Sequence, residues 1–375
     1  MNRTRILLGI LALVSLAALF TTKVSGRMPD FEVYWTAGSR AIAAQPLYRE
    51  EDGHYQFKYL PAFALLAAPL AMLPLPVAKA LWFAVSALMM LVLLWLSLRA
   101  LPAIHRPPAL LLVATFVAMA KFYARELVNG QVNMLFAVLV VLAIVWMQSG
   151  REASAGVLLA ISVVVKPYGA IFAPWLATRR KRAAFVAMIV ALVLLLLLPA
   201  ARYGWSGNLR LLAGWWHTVT ATTPPNLMNP DNASLASMFA RYLGPGPTAS
   251  VLAAVGALAL LGAAAIVIAG RGRLHAPEAL EGALLLLLIP LLSPQGWDYV
   301  LLIATPAIML LLDTLHLLPR GLRYATGTAI ALVGFVIWDL VGRDFYRAFM
   351  HLSIVTICVV IEAAALVTLR FRRVA

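Results

Sequence analysis

Long apolar runs recur along the whole chain and constrain its fold more than any other feature of the sequence. Many approach the ~20 residues that an α-helix needs to cross a bilayer. Charged residues make up only 12% of the chain, about half the fraction in an average soluble domain. The sequence therefore predicts an all-α polytopic integral membrane protein, a single domain over residues 1–375. The predicted transmembrane segments, about 12 in number, are 6–22, 76–98, 107–122, 131–148, 153–165, 168–177, 183–199, 249–269, 279–292, 299–318, 322–340 and 350–369.

The N-terminal run follows basic residues, as in a signal peptide. The TTKVSG sequence after it lacks a good small-residue cleavage site, so we expect a retained first helix. Segment 60–73 contains three prolines and predicts a short helix at the outer interface. Short amphipathic helices of this kind are expected in the loops outside the cytoplasm.

Basic residues are concentrated in short loops between apolar runs, which indicates the topology. The chain carries a formal charge of +15. Clusters in such loops set orientation and contact lipid headgroups, so we expect membrane lipids as partners and no nucleic acid. We expect the protein in the inner (plasma) membrane. The positive-inside rule then places both termini in the cytoplasm. The loops 23–60 and 200–248, which carry the polar and aromatic residues typical of sites, fall on the periplasmic or exterior side.

Lys166 and Pro167 separate two runs, 153–165 and 168–177, that are each too short to span a bilayer. We interpret them as a broken pair that enters the membrane and returns, because broken helices are tolerated where they line a cavity. A lysine at this depth is energetically costly and commonly functional. We expect Lys166 to contact a phosphate; a structural ion pair is the alternative.

Asp30 and Glu32 directly follow the first apolar run, in the stretch GRMPDFEVYWTAG. A carboxylate at the membrane edge can accept a proton from a hydroxyl or bind a metal, whereas a plain helix cap is the structural alternative. Tyr34 and Trp35 suit stacking on a sugar ring, but interface anchoring explains aromatic residues equally.

Further polar islands separate the later apolar runs. Lys58 and Tyr59 precede Pro61, and Lys58 either reaches a phosphate or snorkels to headgroups. Another island holds Arg125, which could pair with its neighbour at the surface, together with amides that suit a hydrogen-bonding pocket or a plain turn. The remaining candidate substrate-binding residues of these islands are Gln131, Asn133, Asn232, Ser234, Trp297 and Asp298.

Several classes of protein are disfavoured by what the sequence lacks. It has no glycine-rich phosphate loop and no zinc-binding pattern. Transporters commonly carry interrupted helices in two related halves, and we find a single break. A transporter or flippase of lipid phosphate or glycolipid nevertheless remains the alternative to an enzyme, and a scaffold of an envelope assembly is a third possibility.

The polar islands together resemble those of family-87 glycosyltransferases in the GT-C superfamily, over nearly the whole chain. That family includes mannosyltransferases that elongate phosphatidylinositol mannosides and related arabinofuranosyltransferases. The resemblance rests on the order of short motifs: D-F-x-x-Y-W-x-A at Asp30, K-Y-x-P at Lys58, G-Q-x-N at Gly130, K-P at Lys166, D-N-x-S at Asp231 and S-P-x-x-W-D at Ser293.

The resemblance implies a GT-C-type bundle and an inverting transfer of mannose or another sugar. The donor would be a polyprenyl-phosphate sugar, and the acceptor a lipid or glycan hydroxyl outside the cytoplasm. Asp30 would be the general base, while Lys166, Lys58 and Arg125 would hold the donor phosphate. We expect no cofactor and no metal. Tyr299 stands where similar proteins often have histidine, and Glu32 is expected to support the first helical turn.

Overall fold

The structure is a computed structural model that describes residues 14–270 and 276–372. Over these residues the regular structure is helical, apart from one isolated β-bridge. The predicted residues 6–13 of the first segment, and the basic residues of positions 1–13, 271–275 and 373–375, lie outside this description. The helices are α1 Val14–Val24, α2 Pro29–Ile42, α3 Pro61–Ala71, α4 Leu75–Ala100, α5 Pro108–Asn129, α6 Asn133–Gln148, α7 Glu152–Val165, α8 Phe172–Thr178, α9 Arg182–Leu197, α10 Ala200–Asn226, α11 Leu235–Leu243, α12 Pro247–Ala269, α13 Glu278–Leu292, α14 Thr305–Thr314, α15 Arg320–Phe335, α16 Trp338–Val341, α17 Arg343–His351 and α18 Ile354–Phe371.

Long apolar helices make this an all-α membrane protein. Within the described residues, four helices are long and apolar enough to cross a membrane: α4, α12, α18 and the helical stretch Asp298–Leu317. The α9–α10 pair, bent by 90°, is a candidate fifth span. The shorter apolar helices α1, α3, α6 and α7 fall below that length. The predicted number of about 12 spans is therefore not confirmed by helix length and composition.

Two predicted segments differ from the structure. Segment 200–248, a predicted loop with short helices, contains the longer helix α10, which extends through 27 residues and bends at Gly204. Its aromatic and polar content resembles that of a loop, although those residues are compatible with a helix that lies across α9. Predicted segment 322–340 ends at Phe335, and the separate helix α16 follows.

The predicted break at Lys166 is present. Helix α7 ends at Val165, and Lys166 adopts an extended conformation (φ −147°, ψ 114°). The ring of Pro167 disfavours helical geometry at the preceding residue and suits the first position of a new helix. Residues Pro167–Ile171 accordingly form a short 3₁₀ turn before α8.

Helix α13 lies at the centre of the bundle. Its residues from Ala279 to Leu291 are all buried, as expected for a helix that is apolar around its whole circumference. It packs against α6, α12, α14 and α18. This arrangement fixes the position of the polar turn that follows α13.

Helices α7 and α13 both begin beside Lys181 and end at a polar cavity. Lys181 contacts Glu152 and Glu278, which begin the two helices, at 2.9 Å and 3.8 Å. Lys166 and Ser293, which follow the two helices, line the cavity. A helix of 14 residues is about 21 Å long. Lys181 and the cavity therefore lie at opposite ends of α7.

We predict that Gly156→Ala in α7 destabilises the protein. A Cβ atom at this position would lie 2.1 Å from the backbone oxygen of Ala184 in α9, so the helices must separate. Overpacking of this kind costs about 1–3 kcal/mol, measurable as a lower unfolding temperature by tryptophan fluorescence in detergent. Gly262→Ala in α12 is the matched control, because its Cβ meets no atom within 4 Å. Equal unfolding temperatures for the two variants would contradict this packing.

Candidate active site

Asp30 lies in the first turn of α2, which begins at Pro29. The preceding Met28 adopts a left-handed conformation, and its N–H donates to the carbonyl of Val128 at 3.0 Å. This bond ties the start of α2 to the end of α5. Asp30 is therefore not the N-cap residue of the helix, and its half-buried side chain lines a cavity instead.

Glu32 is held away from that cavity. Its carboxylate contacts Nζ of Lys79 at 2.6 Å. The same ammonium donates to the carbonyls of Arg27 at 2.7 Å and Ser25 at 3.4 Å. Glu32 and Lys79 together fix the chain where it enters α2. The supporting role expected for Glu32 stays a prediction.

The central cavity has a volume of about 270 Å³. It is formed where α2, the segment after it, the break at Lys166, helix α10 and the turn after α13 come together. Seven of the predicted site residues line it, namely Asp30, Tyr34, Lys58, Tyr59, Gln131, Lys166 and Trp297.

A chain of hydrogen bonds crosses one wall of the central cavity. The hydroxyl of Tyr34 lies 2.7 Å from that of Tyr59 and donates to Oε1 of Gln131 at 3.2 Å. Nε2 of Gln131 donates to the hydroxyl of Tyr299 at 3.4 Å. Trp297 stacks on Tyr299, with ring centroids 6.2 Å apart. The wall therefore offers both aromatic faces and hydroxyl groups, the mixture found in small-molecule sites.

Two lysines bring positive charge to the central cavity. Nζ of Lys166 lies 5.3 Å from the ring centroid of Tyr59 and 5.6 Å from that of Tyr168. In the part of the chain that the structure describes, neither Lys58 nor Lys166 forms an ion pair with a carboxylate within 4.0 Å. Their charge is thus available to an anionic ligand.

The environment of the cavity changes the acidity of its groups. Burial raises the pKa of Asp30 above its usual range, and Lys166 and a hydrogen bond from Gln131 partly oppose this shift. Burial lowers the pKa of Lys58, opposed by Asp30. Burial also raises the pKa of Tyr59 to about 12. Asp30 is consequently a stronger base than an exposed aspartate.

Arg125 lies outside the lining and contacts two carboxylates. Its Nη1 lies 2.6 Å from both oxygens of Asp298, and its Nη2 lies 2.9 Å from Asp231. The guanidinium also lies 5.2 Å from the ring centroid of Tyr299. Arg125 and Asp298 therefore hold the segment that carries the aromatic wall.

Four other predicted substrate-binding residues have internal partners outside the cavity lining. Trp35 donates to the carbonyl of Leu73 at 3.0 Å, and Asn133 donates to the buried Glu126 at 2.9 Å. Asn232 donates to the carbonyl of Pro294 at 2.8 Å, while Ser234 caps α11 by accepting from the N–H of Ser237. A substrate role for these residues stays a prediction, and their contacts here position the polar segments.

The cavity also contains residues that were not predicted to bind substrate. Tyr168 follows the K-P motif, Tyr299 follows the last motif, and Trp215 lies in helix α10. For His54 and Thr223 the sequence offers no motif. The remaining lining residues are Val33, Tyr55, Gln56, Pro167, Val219, Ser293, Pro294 and Gln295.

Metal-binding side chains do not gather in the described ranges. No group of three or more His, Cys, Asp or Glu residues is close enough there to hold a metal ion. Metal independence stays a prediction.

The cavity combines a half-buried carboxylate, two lysines and an aromatic wall. With the apolar helices around it, these features define a membrane protein with a polar, positively charged cavity. The family model described as glycosyltransferase family 87 matches residues 57–294, more than half of the chain. The chain therefore belongs to glycosyltransferase family 87. The match includes Lys58, Gln131 and Lys166, but it begins after Asp30. No curated protein matches the chain.

We predict that Arg125→Gln lowers the free energy of unfolding by about 3 kcal/mol, because it leaves the buried Asp298 without its counter-charge. This is the lower end of the cost of breaking a buried pair, since 33% of the Arg125 side chain is exposed. Adding Asp298→Asn to the same chain should restore part of the loss. Thermal unfolding in detergent without substrate measures both, and an unaltered single variant would contradict the structural role.

Proposed function

We propose that the protein transfers a sugar from a polyprenyl-phosphate donor to a hydroxyl of a lipid or glycan acceptor, with inversion. Its glycosyltransferase activity follows from the family, whereas the donor, the acceptor and the stereochemistry are our proposal. The observation that supports it most is that one cavity combines the basic carboxylate of Asp30 with the ammonium groups of Lys58 and Lys166.

Asp30 acts as the general base in this mechanism. The acceptor oxygen attacks the anomeric carbon on the face opposite the phosphate and loses its proton to Asp30. The new carbon–oxygen bond forms as the bond to the phosphate oxygen breaks. Burial supports this role, because it raises the pKa of Asp30 and so strengthens the base.

Lys58 and Lys166 stabilise the leaving phosphate. Charge develops on that group as the bond breaks, and preorganised cations placed beside it stabilise that charge. A phosphate is a good leaving group, so no separate acid is needed. Tyr34, Tyr59 and Trp297 bind the sugar through hydroxyl groups and ring faces, and neither a metal nor a cofactor takes part.

We also propose that the cavity opens to the periplasmic or exterior side of the inner membrane, with both termini in the cytoplasm. The distribution of basic loops supports this orientation through the positive-inside rule. The separation of Lys181 from Lys166 by the length of α7 is consistent with it. In this arrangement the short helices α1, α6 and α7, together with α5, α8, α13 and α15, complete a GT-C-type bundle of about 12 membrane segments.

Asp30→Asn should lower the rate of transfer by about 10²–10⁴-fold, the usual contribution of a general base. The assay follows consumption of polyprenyl-phosphate sugars, offered as a panel, by the purified protein with membrane-extracted acceptors. Asp344→Asn is the matched control, because Asp344 is fully exposed and lies outside the cavity. A folded Asp30→Asn protein with the wild-type rate would exclude Asp30 as the base.

The dependence of kcat/KM on pH provides a second test of Asp30. Since the base must be deprotonated, activity is lost as pH falls through its pKa, and this loss should centre above the ~3.9 of an ordinary aspartate. Lys166 lowers the pKa of Asp30, so Lys166→Met should move the acid limb to higher pH. If the acid limb of this variant does not shift, Lys166 does not affect the pKa of the catalytic base.

Removal of divalent metal ions should leave the rate of transfer unchanged, because the two lysines supply the positive charge that a metal would otherwise provide at the phosphate. The measurement compares protein dialysed against EDTA with untreated protein. A large loss that magnesium or manganese restores would overturn the metal-free mechanism.

A further inference from the structure

The Glu50–Tyr55 turn lies over the central cavity without an apolar anchor of its own. None of its residues is buried, and Gly53 (φ 58°, ψ −123°) interrupts its 3₁₀ geometry. The chain on either side is fixed, because Leu47 and Phe57 are 0% and 1% exposed. The turn is thus fixed at both ends, and no buried residue of its own holds the middle.

One ion pair fastens the middle of this turn to α2. Nη1 and Nη2 of Arg40 lie 2.5 Å and 2.7 Å from the two carboxylate oxygens of Asp52. The side chains are only 13% and 22% exposed, and bidentate geometry of this kind is strong and directional. Among the described residues, Asp52 is the one side chain of the turn that hydrogen-bonds to another element.

Tyr55 of the turn and Val33 of α2 stand between the central cavity and a second one. His54 and Tyr55 line the central cavity beside Asp30. The second cavity, of about 410 Å³, is lined by Arg40 and Asp52, and it shares Val33 and Tyr55 with the first. Release of the turn from α2 would remove this partition and admit solvent to the side of the cavity that holds Asp30.

We propose that Arg40 and Asp52 are positioning residues that control whether the sugar passes to the acceptor or to water. This inference rests on the proposed function. In the competing reaction, the oxygen of water forms the bond to the anomeric carbon as the bond to phosphate breaks, and Asp30 takes the proton from water. The products are free sugar and polyprenyl phosphate. By holding His54 and Tyr55 in place, the ion pair keeps water from the attacking position.

The test measures both products of one polyprenyl-phosphate sugar that the wild-type chain turns over, using the full-length protein in detergent. Arg40→Gln and Asp52→Asn should each raise the ratio of hydrolysis to transfer by about tenfold, the effect of ~1.4 kcal/mol. The double variant should do no more than either single change, because both break the same contact. Asp344→Asn, which removes a carboxylate from an exposed pair, should leave the ratio unchanged.

Thermal unfolding of each variant verifies that it is folded. If a single variant is not folded, Arg40→Lys replaces it, since it keeps the charge but loses the bidentate contact. Its ratio of hydrolysis to transfer should lie between those of the wild-type protein and the folded variant. Unchanged ratios in folded variants, or additive effects in the double variant, would overturn the proposal while leaving the transferase assignment intact. If the wild-type protein cleaves no polyprenyl-phosphate sugar, the proposed function fails and this inference fails with it.

Discussion

The arrangement of the cavity depends on a positive charge placed at the end of an apolar helix. Pro167 disfavours helical geometry at Lys166, which is extended at the end of α7. Such a charge is costly inside a bundle unless polar groups face it. Here the rings of Tyr59 and Tyr168 lie within 6 Å of it, and Asp30 lies close enough for its pKa to be affected. The polar segments between distant helices therefore meet at this break.

A second charge cluster holds those segments in register. Arg125 neutralises Asp231 and Asp298, which lie far apart in the sequence, and it contacts the ring of Tyr299. The backbone bridge between Asn232 and Trp297 joins the same two segments. Residues of two short motifs, together with Arg125, are thus needed to build the wall even where they do not face the cavity. This explains how motifs that are individually weak can occur together in one family.

The sequence predicts those features that depend on local chemistry. The break at Lys166–Pro167 and the helix that begins at Pro61 follow from charge, proline geometry and hydropathy, whereas a shared site for Asp30, Lys58 and Lys166 was expected only from the family resemblance. It does not predict the partners of Arg125, because carboxylates more than 100 residues away supply them. Helix α10 was missed since its aromatic and polar residues lack the hydropathy of a span. The Glu50–Tyr55 turn was missed because its position depends on one tertiary ion pair.

The position of Asp30 also bears on the choice between an enzyme and a transporter. A cavity that only had to bind and release a lipid phosphate would gain from Lys58 and Lys166, while a carboxylate in the same space would repel the anion. That repulsion weakens binding of the donor, and burial of Asp30 adds a desolvation cost. Both costs are offset if the carboxylate accepts a proton in the transition state, because an interaction that strengthens as the reaction proceeds accelerates it. The combination of a base and cations in one small cavity therefore favours group transfer over passage of an intact lipid.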